Sequence, residues 1–356
     1  ILDALRHKSD IPLKRLDAGN RKTALQILRK FSPLRYRMAR HTRGLLRHYH
    51  EKGLLETPIP RREPQAVAID MSPAERDLYD RVEDYLSATY NMAAPGKRSS
   101  VGFVMTIYRR RMASSLYALQ QTLQKRMQNC TEFIEEEDLE QDETVEEIMD
   151  LEDAACVAME GAAAEEEQEI QKLLDLIACR DTDSKAIELK TTLDRIFDEG
   201  FHSAIIFTQY TDTMEYLKNF LVQKYPDRSM GCYFGKGGLR RTKGGSWSSC
   251  SKEKIKLALK NTEIEILICT DAAGEGLNLQ YCGALINYDL PWNPMKVEQR
   301  IGRIDRIGQR YPRIRIFNFA YKDTIEAEVY FTLDQRIHLF QGIVGKLQPI
   351  LSRLPQ

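Results

Sequence analysis

The sequence has no run of about 18 uncharged apolar residues, which argues against a membrane-crossing helix. No signal-peptide pattern is visible, and the start Ile1-Leu2-Asp3 is not a natural N-terminus. The cysteines Cys130, Cys156, Cys179, Cys232, Cys250, Cys269 and Cys282 are odd in number, scattered and without a CxxC. That pattern argues against a disulfide framework and a zinc site, and suits a reducing cytosolic or nuclear compartment; no metal ligands are assigned. No GxxxxGK[ST] occurs either, since Pro95-Gly96-Lys97-Arg98 and Gly235-Lys236-Gly237 do not fit it. Nor does any Asp-Glu pair stand at a strand end where it would hold Mg2+. A self-contained phosphate cradle is therefore missing from these 356 residues.

What is present is segregated charge and a change of pattern midway. The length suits two or three domains. The formal net charge is zero, yet residues 1–62 carry 16 Lys/Arg against 5 Asp/Glu. Residues 132–169 hold 18 acidic side chains and no Lys or Arg, and residues 296–315 are basic again with seven. Basic patches on a neutral chain suit a polyanion such as nucleic acid, although residues 1–62 alone read equally as solvated helices.

Residues 1–58 look helical. Gln65 to Met71 alternates like a strand, and Ser72-Pro73-Ala74-Glu75 starts a helix with a capping box. That helix continues with Leu78, Val82, Tyr85 and Leu86 on one face. A second helix is expected from Val101 to Arg126. The acidic stretch after it reads as disordered or as a solvated helix; a sharper reading makes it a competitor with DNA for the basic surfaces. From about Asp183, short apolar runs alternate with helical patterns: Ala204–Phe207, Ile264–Cys269, Ala284–Tyr288 and Ile314–Phe317. That alternation predicts an α/β fold with a parallel sheet flanked by helices, preceded by a mostly helical region. Between Tyr233 and Lys256, a Gly-rich basic loop with Trp247 reads either as a clamp on a DNA backbone or as a flexible loop with one buried Trp. The pattern Ile325/Val329/Leu333/Ile337/Phe340 reads as a packed tail helix.

Ligands of open α/β sheets bind outside the strand carboxyl ends. Three such ends carry unusual residues. Phe207 is followed by Thr208-Gln209-Tyr210, and Cys269 by Thr270-Asp271-Ala272-Ala273-Gly274-Glu275-Gly276-Leu277-Asn278. Tyr288 leads into Asp289-Leu290-Pro291-Trp292-Asn293-Pro294 and then Gln299-Arg300-Ile301-Gly302-Arg303-Ile304-Asp305-Arg306-Ile307-Gly308-Gln309. A threonine at a strand end offers phosphate a hydroxyl and an N–H. Gly274 and Gly276 permit close backbone approach, although a bare Gly-x-Gly reads as a tight turn. The last stretch predicts a helix with Asn293 as N-cap and Pro294 at its first position. At about 100° per residue, Val297, Ile301 and Ile304 share one face, and Gln299, Arg303 and Arg306 lie roughly opposite. Gly302 within the helix costs about 1 kcal/mol against alanine, which points to a close neighbour there. Two arginines three apart, held over a cleft, suit a transferring phosphoryl group.

Together, in this order, these segments resemble motifs IV, V and VI of superfamily 2 helicase-like ATPases, and within them the SWI/SNF-type branch. The ending Arg306-Ile307-Gly308-Gln309 is typical of that branch. Gly302-Arg303 with Asp305-Arg306 resembles its bacterial RapA-like subgroup, which includes helicase-related proteins of phage defence. The likeness is strong over about 183–340, and weaker over 31–90 at Met38–Arg43 and Met71–Tyr79.

The resemblance implies arginine fingers at Arg306 and Arg303 reaching an ATP γ-phosphate, with Gln299 beside the nucleotide and Gly274, Glu275 and Gly276 lining its side of the cleft. It implies nucleic-acid contacts at Thr270, Thr208, Gln209 and Asn278, and a linking loop shaped by Trp292 and Asn293. It further implies five parts: 1–62 as the basic end of a first lobe, 63–127 as a helical connection and 128–182 as an acidic insertion. Residues 183–322 would be a second RecA-like lobe and 323–356 brace helices. ATP with Mg2+ is the implied cofactor, held mainly by a first lobe of the same full-length protein. The missing GxxxxGK[ST] means either that the chain is the C-terminal half of a longer ATPase, the preferred expectation, or that its site is degenerate. Alone, the chain is expected to be inactive. The implied activity is ATP-driven translocation along double-stranded DNA in a bacterial cytoplasm, with RNA polymerase or defence-system subunits as protein partners. The alternatives are a strand-separating helicase and a non-catalytic regulatory subunit.

Overall fold

The computed structural model describes residues 43–57, 59–92, 98–127, 164–179, 183–235, 237–271, 278–291, 293–324 and 326–327, together with Gly19, Thr23, Gln26 and Ile27. Helix α1 (Arg43–Glu51) and strand β1 (Arg61–Ile69) come first. Helices α2 (Pro73–Met92), α3 (Arg98–Ser114), α4 (Leu116–Met127) and α5 (Ala164–Ala178) follow. Then come α6 (Ser184–Asp198), β2 (Ala204–Thr208), α7 (Thr211–Lys224), β3 (Met230–Phe234), β4 (Gly237–Arg241) and β5 (Trp247–Cys250). The order closes with α8 (Lys252–Lys260), β6 (Ile266–Thr270), β7 (Ala284–Asn287), α9 (Pro294–Ile304) and β8 (Arg313–Tyr321).

The strands form one sheet in the order β1-β8-β7-β2-β6-β3-β4-β5. Neighbours from β1 through to β3 are parallel, as the apolar runs predict, and β4 and β5 add an antiparallel edge. Successive side chains of a strand point to opposite faces, so each apolar run feeds two cores. Ile205, Phe207, Leu267 and Leu285 pack with Ile255 and Leu259 of α8 and with Val297, Ile301 and Ile304 of α9. Ala204, Ile206, Ile268 and Ile286 pack with Leu189 and Leu193 of α6 and with Met214 and Leu217 of α7. A third cluster joins Leu78, Val82 and Leu86 of α2 to Tyr108, Leu119 and Leu123, and to Ile170 and Leu173 of α5. Helix α5 therefore gives the end of the acidic segment a packed face. No helix among the described residues is long and apolar enough to cross a membrane.

Three sequence expectations change here. First, the boundary expected between 62 and 63 falls inside β1, whose Arg62 aligns with Ile314 of β8. The supposed connection thus begins as an edge strand of the sheet, because Ala66 on one face and Val67 and Ile69 on the other all find cores to enter. Second, the helix expected from 101 to 126 is two helices. Ser115 separates them, its Oγ accepting the Ala118 N–H at 3.1 Å as a cap for α4. Third, the Gly-rich basic loop is a ribbon, not a loop. Arg241 is buried and donates to the carbonyls of Pro226 (3.0 Å) and Arg228 (3.2 Å). Trp247 is half-buried against the sheet core, with Lys218 Nζ 5.8 Å from its ring. A Cβ at Gly238 would come within 2.8 Å of the Ile255 side chain, so a glycine is needed there for α8 to lie on the ribbon.

The capping box forms as expected: the Ser72 N–H donates to Glu75 at 2.7 Å, and the Glu75 N–H to Ser72 Oγ at 3.3 Å. Glu75 also accepts the Ser184 N–H at 2.6 Å and the Ser184 hydroxyl, so one carboxylate serves the amino ends of both α2 and α6. Next to it, buried Lys185 donates to the Ala113 carbonyl and to Glu326, both at 2.7 Å, and its Nζ sits 5.2 Å from the rings of Tyr288 and Tyr321. These contacts fasten the helical region to the sheet. The acidic stretch 128–163, residues 328–356 with most of the expected tail helix, and most of 1–42 lie outside the described residues.

Candidate active-site cleft at the strand carboxyl ends

Strand β2 leads rightward through α7 to β3, whereas its neighbour β7 leads the other way through α9 to β8. Their carboxyl ends therefore flank a topological switch point, where open sheets leave a crevice. Asp289, two residues past β7, organises it. Its Oδ2 accepts the hydroxyls of Thr208 and Ser114, both at 2.6 Å, and its Oδ1 accepts the Gln209 N–H at 2.8 Å. Thr208 is fully buried and spends its only proton on Asp289. Its hydroxyl thus serves that carboxylate, and Gln209 beside it is half-buried, its Nε2 donating to the Leu290 carbonyl at 3.2 Å.

From the other side comes Arg300 of α9, buried and fully engaged. Its Nε and Nη2 grip both carboxylate oxygens of Asp271 at 2.6 and 2.7 Å. Its Nη1 donates to Asn287 Oδ1 at 3.1 Å and to the Asp289 carbonyl at 2.7 Å. Such a bidentate fork fixes direction as well as charge. One side chain thereby ties the arginine helix to the ends of β6 and β7.

The ends of α9 follow from local chemistry. Asn293 caps it by accepting the Met295 N–H at 2.8 Å, with Pro294 in the first turn, as the sequence predicts. The helix stops at Ile304, however, short of Arg306. Asp305 is drawn off the helix axis to Arg62 of β1, whose Nε lies 2.5 Å from it, while the same guanidinium holds Glu298 at 2.7 and 2.8 Å. Gly308 then takes φ +90°, a left-handed conformation that glycine adopts freely. Behind it, Gln309 Nε2 donates to the carbonyls of Ile304 (2.7 Å) and Cys282 (2.9 Å). Gln309 thus satisfies the Ile304 carbonyl at the helix end, beyond the break at Asp305.

The predicted site residues fall into three groups. Gln299 and Arg306 are exposed, Arg303 is half-buried, and Gln299 and Arg303 stand one turn apart on α9. Arg306 lies in the turn beyond the helix, its Nε donating to the Gly302 carbonyl at 3.1 Å, and no carboxylate among the described residues pairs with it. Asn278 is exposed, and the returning chain is pinned to the helix by the Leu279 N–H on the Arg303 carbonyl at 3.0 Å. Thr270 is fully buried at the end of β6, and its Oγ1 has no hydrogen-bond partner among the described residues. Gly274, Glu275, Gly276 and Trp292 lie outside the described residues. The close neighbour expected at Gly302 is not among the described residues either, since a Cβ there would meet none of their atoms within 4 Å.

Sequence reasoning missed Asp289, Arg300, Arg62 and Ser114, which organise the site without facing solvent. It also passed over Tyr233 and Lys252. Burial pushes the Tyr233 phenol up, helped by Cys269 and Glu253, while the nearby Arg303 guanidinium draws it back. Lys252 Nζ, at the start of α8, is 5.4 Å from the same ring.

Comparison with known proteins bears on this geometry. Residues 187–308 match the helicase conserved C-terminal domain. Over 305 residues the chain is 35% identical to the uncharacterized ATP-dependent helicase YqhH of Bacillus subtilis, an alignment covering 86% of this chain and 45% of that protein. A shorter stretch of 76 residues is 42% identical to the RNA polymerase-associated protein RapA of Vibrio campbellii, 21% of this chain and 8% of that one. A crystal structure of the C-terminal part of the Fun30 ATPase domain aligns loosely, with TM-score 0.46 and 15% identity over 77% of this chain and 89% of that chain. The chain thus spans less than half the length of the YqhH relative. The chain therefore carries a helicase conserved C-terminal domain and is homologous over most of its length to part of an ATP-dependent helicase, and over a shorter stretch to RapA.

Proposed function

We propose that this chain supplies the second motor lobe of an ATP-driven translocase on double-stranded DNA. The observation that carries the reading is Arg306: an exposed guanidinium without a carboxylate among the described residues, standing at the end of a helix that Arg300 and Arg62 lock to the sheet. An uncompensated cation on a rigid mount fits a polyphosphate.

ATP, bound with Mg2+, supplies the phosphoryl group whose transfer to water drives the cycle. The phosphate cradle and the metal ligands are assigned to a first RecA-like lobe, because no GxxxxGK[ST] occurs here. This chain contributes Arg306 and Arg303 as arginine fingers and Gln299 beside the nucleotide. Gly274, Glu275 and Gly276 are assigned to the wall of the same cleft. Gln209, Asn278 and Asn293, with Thr270, Thr208 and Trp292, are assigned to the nucleic-acid side. There Thr208 acts through Asp289, and Thr270, buried at the end of β6, sets the start of the loop that follows. Contacts of this kind address the phosphate backbone and carry no base information, so binding is independent of sequence and weakens steeply with salt. The RapA relative is an RNA polymerase-associated protein, and RNA polymerase is a partner proposed for this chain as well.

The test uses the full-length protein. ATP hydrolysis should be stimulated by duplex DNA, and the enzyme should displace a triplex-forming strand while leaving a plain duplex paired. Strand separation would favour the helicase alternative, and no hydrolysis with any nucleic acid would favour a non-catalytic subunit.

A further inference from the structure

The function just proposed draws on strand ends and α9 but makes no use of the helical region packed beside them. Yet that region reaches into the same crevice at one point, the junction of α3 and α4. Ser114 and Ser115 are buried there, along with Thr213 of α7, Thr208 and Asp289. Ser114 Oγ donates to Asp289 Oδ2 at 2.6 Å. The same oxygen is 2.8 Å from Thr213 Oγ1, which is in turn 2.9 Å from Ser115 Oγ.

Proton counting gives this chain a direction. A carboxylate only accepts, and each hydroxyl has one proton. Ser114 has spent its proton on Asp289, so Thr213 must donate to Ser114. Ser115 must then donate to Thr213, while its own oxygen caps α4 through the Ala118 N–H. The hydroxyls therefore run one way, Ser115 to Thr213 to Ser114, and end on the Asp289 charge. Each link polarises the next where the dielectric is low. Arg111 braces the junction: its Nη1 donates to Asp212 at 3.0 Å, and its Cζ lies 5.1 Å from the Tyr210 ring.

We propose that Ser114 is a positioning residue, the hydroxyl through which the helical region sets the Asp289 carboxylate and, through it, the ends of β2 and β7. Among the described residues it is the helical region's one hydrogen bond to that carboxylate. Asp289 Oδ1 holds the Gln209 N–H at 2.8 Å and lies 3.6 Å from Arg300, so a carboxylate turned by the loss of Ser114 disturbs both sides of the crevice. A partner or nucleic acid that shifts α3 against the sheet would then alter turnover without touching α9. Only the activity arm of the test rests on the function proposed above.

The experiment compares Ser114→Ala with Ser115→Ala in the full-length protein. Ser115 heads the same hydroxyl chain and caps α4 but does not touch Asp289, so its loss reports general loosening of the junction without removing a bond to that carboxylate. Hydrogen exchange at the Gln209 amide should rise about tenfold in Ser114→Ala, the effect of weakening one hydrogen bond to a charged group, and stay unchanged in Ser115→Ala. ATP turnover in Ser114→Ala should fall about tenfold at unchanged KM. Unchanged Gln209 exchange in Ser114→Ala, or an equal rise in both variants, overturns the proposal. So does altered exchange with undiminished turnover. If the wild type hydrolyses no ATP while the exchange pattern is as expected, the link from Ser114 to Asp289 stands and the motor reading fails.

Discussion

Arg300 is the side chain on which the site's geometry depends most, and it faces no solvent. Its fork takes both oxygens of Asp271, and its remaining nitrogen reaches Asn287 and the Asp289 backbone. Burying a guanidinium is costly and is offset here only because its partners lie in place. Removing it leaves Asp271 without its fork and Asp289 without a nearby cation. Arg300→Ala should therefore destabilise the fold by about 3–5 kcal/mol in chemical denaturation. A loss under about 1 kcal/mol would show the fork to be dispensable. Arg300 was illegible in the sequence for a physical reason. Helical spacing put it next to Gln299 and Ile301, but nothing there said that its partners would come from two other strand ends. Arg306, by contrast, is exposed beyond the helix end, and its Nε reaches only the Gly302 carbonyl of its own turn.

At the scale of elements, the helix starts were the most readable feature, because a cap is a local contact. Ser72 with Glu75, and Asn293 with Pro294, both form as the sequence predicts. Helix ends were less readable: α9 stops at Ile304 because Asp305 is taken by Arg62, 243 positions away in sequence. The start of α6 has a titration of its own. Asp183 caps it by accepting the Ala186 N–H at 2.6 Å, but burial pushes this carboxyl up from 3.8 to about 6 against the pull of that N–H and of Lys185. A raised carboxyl pKa means that the folded state holds the proton more tightly than the unfolded chain. The stability this group contributes is present below about 3.8 and is lost as pH rises to about 6. Asp183→Asn keeps an acceptor for the cap and cannot ionise. Urea unfolding at a series of pH values should show the variant gaining on wild type by on the order of 2–3 kcal/mol between pH 4 and 6, then holding level. A difference that stays flat, or moves in favour of wild type, contradicts this reading.

Across the whole molecule, the parallel sheet and the crevice at its strand ends were legible because apolar runs, turn signals and strand-end polar residues repeat in register. The β4–β5 ribbon was not, because the glycine-rich stretch between Tyr233 and Lys256 reads as a loop until Arg241 finds backbone carbonyls to bury against. Strand β1 was recognised as a strand but not as part of this sheet, since its partner β8 lies some 250 positions away, with Gln65 opposite Phe317. The helical region, the sheet and Glu326 meet around Lys185, so the helical region is packed against the sheet. What the sheet offers outward is a crevice with Arg303 and Arg306 at one side. An arginine finger acts only when a nucleotide held elsewhere closes onto it, and its loss commonly costs about 10³–10⁵ in turnover. The decisive measurement is DNA-stimulated ATP hydrolysis by full-length Arg306→Ala, beside Arg310→Ala as an exposed arginine whose Nη2 is held by the Lys260 carbonyl. The account predicts turnover reduced by about three orders of magnitude or more for Arg306→Ala, with an unaltered unfolding midpoint and near-normal turnover for Arg310→Ala. Near-normal hydrolysis by Arg306→Ala would contradict it.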